Sequence, residues 1–341
     1  MNKTFSAIIM SASATLAAAA PAVAADAPLI DRPDFHSTTG IFDIDALEAL
    51  GRVSAPCVSP DGKTVLFGIA YESLEQNASN NDLYILDLTA PGARPERLTA
   101  TPKSESGAVW FDGGRRIAFL YPDADGAMQM WAMNADGKGR MQLSAHPGGI
   151  SGFLLSPDEK HVVVIGNVKY ARSAGDIYPD LPKATGRVID DLMYKHWDEW
   201  VTEIPHPFVG DFDGNAVTNL KDIMADEPFE APMKPFGGVE SFAWHPNSEM
   251  LVYVSRKKTG MEYALSTNSD LVSGETRNLT EGMMGYDTMP AFSPDGHYLA
   301  WLSMERDGYE SDRNRLFLLD CYTAERKDIT ADWDYTIDEF A

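Results

Sequence analysis

The sequence predicts an all-β protein built as a β-propeller, and three observations support that prediction. A turn motif of the Ser-Pro-Asp-Gly type occurs in five copies, an apolar stretch of single-strand length follows each copy, and a Leu-Thr-like element closes most of the units. Short strands separated by turn residues, at a period of about 40–50 residues, are typical of propeller blades. We therefore expect about five blade units in an incomplete ring, with a partly helical insertion in the third unit.

The first 24 residues predict a secretory signal peptide. Lys3 supplies a positive charge, residues 5–20 form an apolar run, and Ala22-Val23-Ala24 is a small-x-small cleavage site. A membrane anchor is the alternative, but the run is rich in Ala and Ser and shorter than the roughly 20 residues that a span needs. We expect cleavage after about Ala24 and a periplasmic or secreted protein.

The remaining chain divides into a short N-terminal segment and the propeller. We expect residues 25–57 to contain a short helix and residues 58–341 to form the partial propeller. Its clearest turns are Ser59-Pro60-Asp61-Gly62 and Ser293-Pro294-Asp295-Gly296. Pro presets φ, Asp bonds its own backbone, and Gly takes a positive φ, so these residues predict a structural rather than a catalytic role.

An insertion interrupts the third unit. Ser156 and His245, which hold equivalent positions, are 89 residues apart, whereas other neighbouring copies are 45 to 52 apart. The extra sequence lies at about residues 169–204. The apolar spacing of Val188, Ile189, Leu192 and Met193 predicts a short helix that ends near Tyr194.

The insertion ends in Trp197-Asp198-Glu199-Trp200, the cluster in the chain that most suggests function. Long insertions in a repetitive scaffold commonly carry binding sites. The structural alternative is that the two tryptophans cover a blade edge while the acids face solvent.

Composition excludes several classes of function. Acidic residues number 51 against 28 basic ones, which gives a net charge of -23. This charge disfavours binding to nucleic acid or to anionic lipid, and no segment after the signal peptide is apolar enough to span a membrane. The chain has no Cys/His cluster at ligand spacing, so we expect no metal site. Cys57 and Cys321 are too few for a disulfide scaffold, and both a single bond and two free thiols remain open.

Several segments together resemble the N-terminal propeller of the prolyl-oligopeptidase-like (S9) serine peptidases, in particular the dipeptidyl peptidase 5 and acylaminoacyl-peptidase-like branch. They are residues 42–47 (Phe-Asp-Ile-Asp-Ala-Leu), 178–183 (Tyr-Pro-Asp-Leu-Pro-Lys) and 191–200 (Asp-Leu-Met-Tyr-Lys-His-Trp-Asp-Glu-Trp), along with the repeated turns. The resemblance extends from about residue 40 to the end of the chain. The turn alone is also found in TolB-like propellers, whereas the insertion is more specific.

The resemblance implies a catalytic Ser-Asp-His set in a C-terminal α/β-hydrolase domain, with the serine on a Gly-x-Ser-x-Gly elbow. This sequence contains no such motif, since Gly149-Ile150-Ser151-Gly152-Phe153 has Phe at the last position. The next Ser-Pro-Asp-Gly turn would begin at about residue 341 or 342. We therefore expect the hydrolase domain to be absent, the chain to be a truncated product or to come from an incomplete gene, and no catalytic residue to lie within it.

The resemblance also implies a function for the propeller, which gates access of short peptides to the hydrolase site without a cofactor. Acidic propeller residues of such enzymes hold the peptide's amino terminus, and by this analogy Asp198 and Glu199 are the candidates. A homodimer of the full-length enzyme is compatible with the resemblance. The alternatives are a stand-alone TolB-like propeller that binds protein partners and a gene fragment without function.

Overall fold

The computed structural model describes residues 29–38, 40–273 and 277–341, so the predicted signal peptide lies outside the described residues. Five antiparallel sheets of four strands follow one another along the chain, and we number them blades one to five. Within each blade the four strands pair in chain order, and in blade three a separate two-stranded hairpin is inserted between the second and third strands. The prediction of an all-β propeller with about five units is confirmed.

The strands have the following bounds. Blade one contains β1 (Arg52–Val58), β2 (Thr64–Ser73), β3 (Ala78–Asp87) and β4 (Glu96–Arg97). Blade two contains β5 (Ser106–Phe111), β6 (Arg116–Pro122), β7 (Met128–Asn134) and β8 (Met141–Gln142). Blade three contains β9 (Ile150–Leu155) and β10 (His161–Lys169), the inserted hairpin of β11 (Lys195–His196) and β12 (Glu199–Trp200), and then β13 (Glu203–Phe212) and β14 (Val217–Asp222). Blade four contains β15 (Phe242–Trp244), β16 (Leu251–Ser255), β17 (Asp270–Ser273) and β18 (Arg277–Asn278). Blade five contains β19 (Asp287–Phe292), β20 (Tyr298–Ser303), β21 (Arg315–Asp320) and β22 (Arg326–Asp328).

Among the described residues the helices are few and short. They are α1 (Ile44–Glu48), α2 (Ala174–Ile177) and α3 (Gly260–Leu265), with 3-10 turns at Asp112–Gly114 and Val239–Ser241. The Asp43 side chain caps α1 by accepting the N–H of Ala46 at 3.0 Å. The first blade begins at Arg52 rather than at Val58, because the strand before the turn also belongs to its sheet.

The helix in the insertion lies elsewhere than the apolar spacing predicts. The insertion is partly helical, as expected, but its helix is α2, and the prediction of a helix ending near Tyr194 is wrong. Two local interactions explain the difference: Arg187 pairs with Ser173 in an isolated β-bridge, and the Asp191 carboxylate accepts the Met193 N–H at 3.0 Å in a turn. Of the four apolar residues only Met193 is buried, so no apolar helix face forms.

The Ser-Pro-Asp-Gly turns are held by the hydrogen bonds that their residue types predict. In blade one, Ser59 Oγ donates to Asp61 Oδ1 at 2.7 Å, the Lys63 N–H donates to the same oxygen at 3.1 Å, and Gly62 has a φ of 72°. These donors hold the pKa of the Asp61 carboxyl below its ordinary value. Ser156 and Ser293 make the same bond to Asp158 and Asp295 in blades three and five.

A hydroxyl after the fourth strand accepts an N–H of the third strand in four of the five blades. This bond explains the Leu-Thr-like repeat, because it replaces the next ladder bond where the short fourth strand has ended. The pairs are Thr99 with Leu83, Ser144 with Met130, Thr280 with Leu271, and Thr330 with Leu316.

The hydrophobic cores lie between successive blades. Separate buried clusters join blades one and two, two and three, three and four, and four and five. In the described part of the chain no such cluster joins blade five to blade one, and every residue of β1 except Cys57 is exposed. The five described blades therefore do not close a ring among themselves. Cys57 and Cys321 are free thiols.

Candidate functional site

A cavity of about 560 Å³ lies where the third-blade insertion meets blades four and five. We call it the hairpin cavity, because β11 forms one of its walls. The segment 233–236, the chain after β16, and α3 form other walls. The lining side chains used below are His196, Lys234, Phe236, Arg256, Tyr263 and Tyr286.

A buried carboxylate fixes the hairpin to blade four. Glu230 is 1% exposed, and its Oε1 lies 2.9 Å from His196 Nε2 while its Oε2 accepts the Tyr263 hydroxyl at 2.5 Å. Burial and the neighbouring Glu230 raise the pKa of Tyr263 far above its ordinary value, so Tyr263 remains a donor. Ser255 Oγ donates to the Glu230 carbonyl at 2.9 Å. Together these bonds hold β11, the segment containing Glu230, and α3 in one arrangement.

The two predicted acids lie at the turn of the inserted hairpin and do not line the hairpin cavity. His196 pairs with Glu199, which leaves Trp197 and Asp198 as a two-residue loop. Glu199 Oε2 accepts from Lys234 Nζ at 3.0 Å, whereas Asp198 is exposed and has no ion-pair partner among the residues described. Of the two carboxylates, that of Glu199 is thus ion-paired, whereas that of Asp198 has no ion-pair partner in the described chain.

Trp197 has an unusual backbone conformation for a bulky residue, with a φ of 49°. Its ring packs edge-on against Phe236 with the centroids 5.4 Å apart, yet it is 72% exposed. The Arg187 guanidinium stacks on Trp200 at 4.6 Å. Trp197 thus contacts the segment beside the cavity and leaves most of its surface open.

A second cavity of about 480 Å³ lies within the insertion itself. Its wall includes Arg172, Arg187, Asp190 and Asp191, so both signs of charge are present. The nearby α2 is held by a capping box in which Ser173 and Asp176 bond each other's backbone N–H groups. The mixture of charges does not select one class of ligand.

Ser151 belongs to the segment that most resembles a Gly-x-Ser-x-Gly elbow, but it lies in a strand. Ser151 lies inside β9, which pairs with β10, and not at the strand-to-helix turn that exposes an elbow serine.

Several histidines contact acidic side chains, as in the 2.9 Å contact of His206 Nδ1 with Asp222 Oδ2. Within residues 29–38, 40–273 and 277–341, no group of His, Cys, Asp and Glu is arranged to hold a metal, and no helix has the length and apolar character to cross a membrane.

Sequence reasoning missed Arg256, Glu230 and Tyr263. One signal was available, since Arg256-Lys257-Lys258 is a run of three basic residues in a chain of net charge -23. Glu230 gave no such signal, because the chain around it is an irregular segment whose burial depends on tertiary packing.

Comparison with known proteins connects the chain to one group of peptidases. It is 48% identical over 294 residues to dipeptidyl-peptidase 5 of Porphyromonas gingivalis, which covers 85% of this chain and 42% of that protein. Dipeptidyl-peptidase 5 of Porphyromonas endodontalis is 44% identical over 288 residues, covering 83% of this chain and 41% of that protein. The chain thus spans less than half the length of these relatives. No family model matches it.

Solved structures support the fold. The acylaminoacyl peptidase of Pyrococcus horikoshii superposes with a TM-score of 0.60 at 17% identity, covering 85% of this chain and 41% of that chain. A puromycin-hydrolysing peptidase of Mycobacterium tuberculosis superposes with a TM-score of 0.51 at 14% identity, covering 82% of this chain and 38% of that chain. The repeats, the insertion and these matches lead to one assignment: the chain is homologous to the N-terminal propeller portion of the dipeptidyl-peptidase 5 group of S9 peptidases.

Proposed function

We propose that this chain is the propeller part of a secreted or periplasmic S9 peptidase and has no peptidase activity by itself. The observation that carries the proposal is the 48% identity over 294 residues to a dipeptidyl-peptidase 5. The strand position of Ser151 supports the proposed inactivity, because an elbow serine needs backbone donors beside an exposed hydroxyl. The signal-peptide pattern of residues 1–24 supports the proposed location.

In this proposal the propeller limits the substrates of the assembled enzyme to short peptides. The test is a chimera that joins this chain to the remaining portion of the Porphyromonas gingivalis relative. We expect the chimera to cleave dipeptidyl-coumarin substrates and short peptides, and to leave folded proteins intact. Equal cleavage of short peptides and folded proteins would contradict gating.

Asp198 is proposed to hold the amino terminus of the peptide, with Glu199 in a smaller role. An ammonium group pairs with a carboxylate, and because Asp198 is exposed this pair contributes about 0.2–1 kcal/mol. Glu199 already accepts a hydrogen bond from Lys234. We therefore expect Asp198→Asn to raise KM of the chimera by up to about 5-fold, since each 1.4 kcal/mol is tenfold.

The matched controls define how the result is interpreted. Glu199→Gln should raise KM less than Asp198→Asn does, and Glu96→Gln, which changes an exposed acid on blade one, should leave KM unchanged. An N-acetylated substrate should lose the difference between Asp198→Asn and the parent chimera. If Asp198→Asn and Glu96→Gln have the same KM, the proposed role of Asp198 is wrong.

A further inference from the structure

Three consecutive basic residues follow β16, and their surroundings differ. Lys257 Nζ lies 2.6 Å from Glu227 Oε2, and Lys258 Nζ lies 3.6 Å from Asp307 Oδ2. Arg256 forms no ion pair with any described carboxylate, although the chain has 51 acidic residues against 28 basic ones. Arg256 thus lacks an ion-pair partner even though acidic residues outnumber basic ones in this chain.

Arg256 is also partly desolvated. Its Nε is buried and has no hydrogen-bond partner among the described residues, and its guanidinium carbon lies 5.1 Å from the centre of the Tyr263 ring. The ring offsets part of the cost of burying the charge, but it accepts no N–H bond in the plane of the guanidinium. A ligand that supplied acceptors there would remove the remaining cost.

Arg256 lines the hairpin cavity, and the other side chains of this cavity suit an anion. Lys195, Lys234 and His196 also line it, and Glu310 is its one acidic lining residue. Lys234 is paired with Glu199 and His196 contacts Glu230, so Arg256 and Lys195 are its unpaired basic residues. Lys195 forms no ion pair with any described residue, and its ammonium lies 5.8 Å from the Trp200 ring centre. Phe236 and Tyr286 add aromatic surface. The cavity therefore combines two unpaired basic side chains with aromatic walls.

We propose that the hairpin cavity binds a carboxylate group of a peptide, with Arg256 as the principal partner of that carboxylate. The planar fork of a guanidinium matches the two oxygens of a carboxylate, and such bidentate pairs are stronger than bonds between neutral groups. The aromatic walls would contact the neighbouring side chain of the peptide. That the ligand is a peptide rests on the proposed function, whereas recognition of the carboxylate rests on the cavity alone.

The test is calorimetric titration of the purified chain with three blocked dipeptides. They are N-acetyl-Ala-Phe with a free carboxylate, the same compound as its amide, and N-acetyl-Ala-Glu amide, in which the side chain carries the only carboxylate. We expect the free acid to bind at least 10-fold more tightly than its amide, and the preference to weaken as salt is added. Binding of the Glu compound as tight as that of the free acid assigns the site to acidic side chains, and weaker binding assigns it to the C-terminal carboxylate.

Variants identify the partner. Arg256→Met should abolish the preference for the acid over the amide, and Arg256→Lys should retain part of it. Lys257→Met is the control, because it removes a neighbouring charge that is already paired with Glu227. This variant should keep the preference intact. Circular dichroism checks that each variant is folded. If a variant does not fold, the comparison of acid with amide on the parent chain still tests the inference.

Two results would overturn the inference. The first is equal affinity of the parent chain for acid and amide, which includes no detectable binding of either. The second is an equal loss of the preference for the acid in Lys257→Met and Arg256→Met. Because the acetyl group blocks the amino terminus, such a failure leaves the proposed role of Asp198 and the peptidase assignment untouched.

Discussion

Asp287 is a buried carboxyl group whose ionisation should make the protein less stable as the pH rises. It begins β19 in blade five, is 0% exposed, and its Oδ1 accepts a hydrogen bond from Trp301 Nε1 at 3.2 Å. Its Oδ2 is buried and has no partner in the described chain. Burial raises the pKa of Asp287 from 3.8 to about 7.

The direction follows from which state holds the proton. Between pH 3.8 and about 7 the folded protein keeps a proton on Asp287 that the unfolded chain releases, so the free energy of unfolding falls as the pH rises through this range. A folded-state pKa near 7 corresponds to a loss of about 4 kcal/mol in total, since each pKa unit is worth about 1.4 kcal/mol. About 3 kcal/mol of this loss falls between pH 5 and pH 8.5.

The assay is urea denaturation at a series of pH values, comparing the parent chain with Asp287→Asn. The amide carries no charge, so the variant should gain about 3 kcal/mol relative to the parent between pH 5 and pH 8.5. Asp332→Asn, which changes an exposed acid near blade five, controls for the general effect of removing a negative charge. If the two variants follow the same pH dependence relative to the parent, Asp287 is not buried as the structure describes.

Two further predictions concern the core and the N-terminus. Phe119→Ala should lower the free energy of unfolding by about 3–5 kcal/mol, because Phe119 is 0% exposed between blades one and two. Phe236→Ala should change it little, because Phe236 is exposed. Equal effects of the two substitutions in a denaturation experiment would contradict the core assignment. Protein recovered from the periplasm or medium should begin at Ala25 by N-terminal sequencing, since the signal-peptide pattern ends at Ala24, and an intact Met1 would contradict secretion by this route.

The blades could be predicted because their signals are local. A turn such as Ser59-Pro60-Asp61-Gly62 specifies its conformation through its own side chains, and the Thr99 hydroxyl bonds a strand of the same blade. Five copies of such signals define the architecture even where one copy is weak. The boundary at Arg52 was missed because the strand that precedes the first turn carries no turn residue of its own.

The insertion and the candidate site depend on contacts between distant segments, and sequence spacing could not supply these. Val188 and Ile189 suit a helix by spacing, but the bridge between Arg187 and Ser173 holds this part of the chain away from helical geometry. Glu230 becomes part of a network only through His196 and Tyr263, which lie more than thirty residues from it on either side. Arg256 stands out only when the partners of its two lysine neighbours are known.

We propose that this chain serves a peptidase whose chemistry is carried by another domain. The most direct measurement is the rate of coumarin release from a dipeptidyl-coumarin substrate, compared between the purified chain and the chimera with the remaining portion of the Porphyromonas gingivalis relative. We expect a rate for the chain alone that equals the empty-vector control and a rate for the chimera clearly above it. Cleavage by the chain alone, or an inactive chimera that is folded, would contradict the claim.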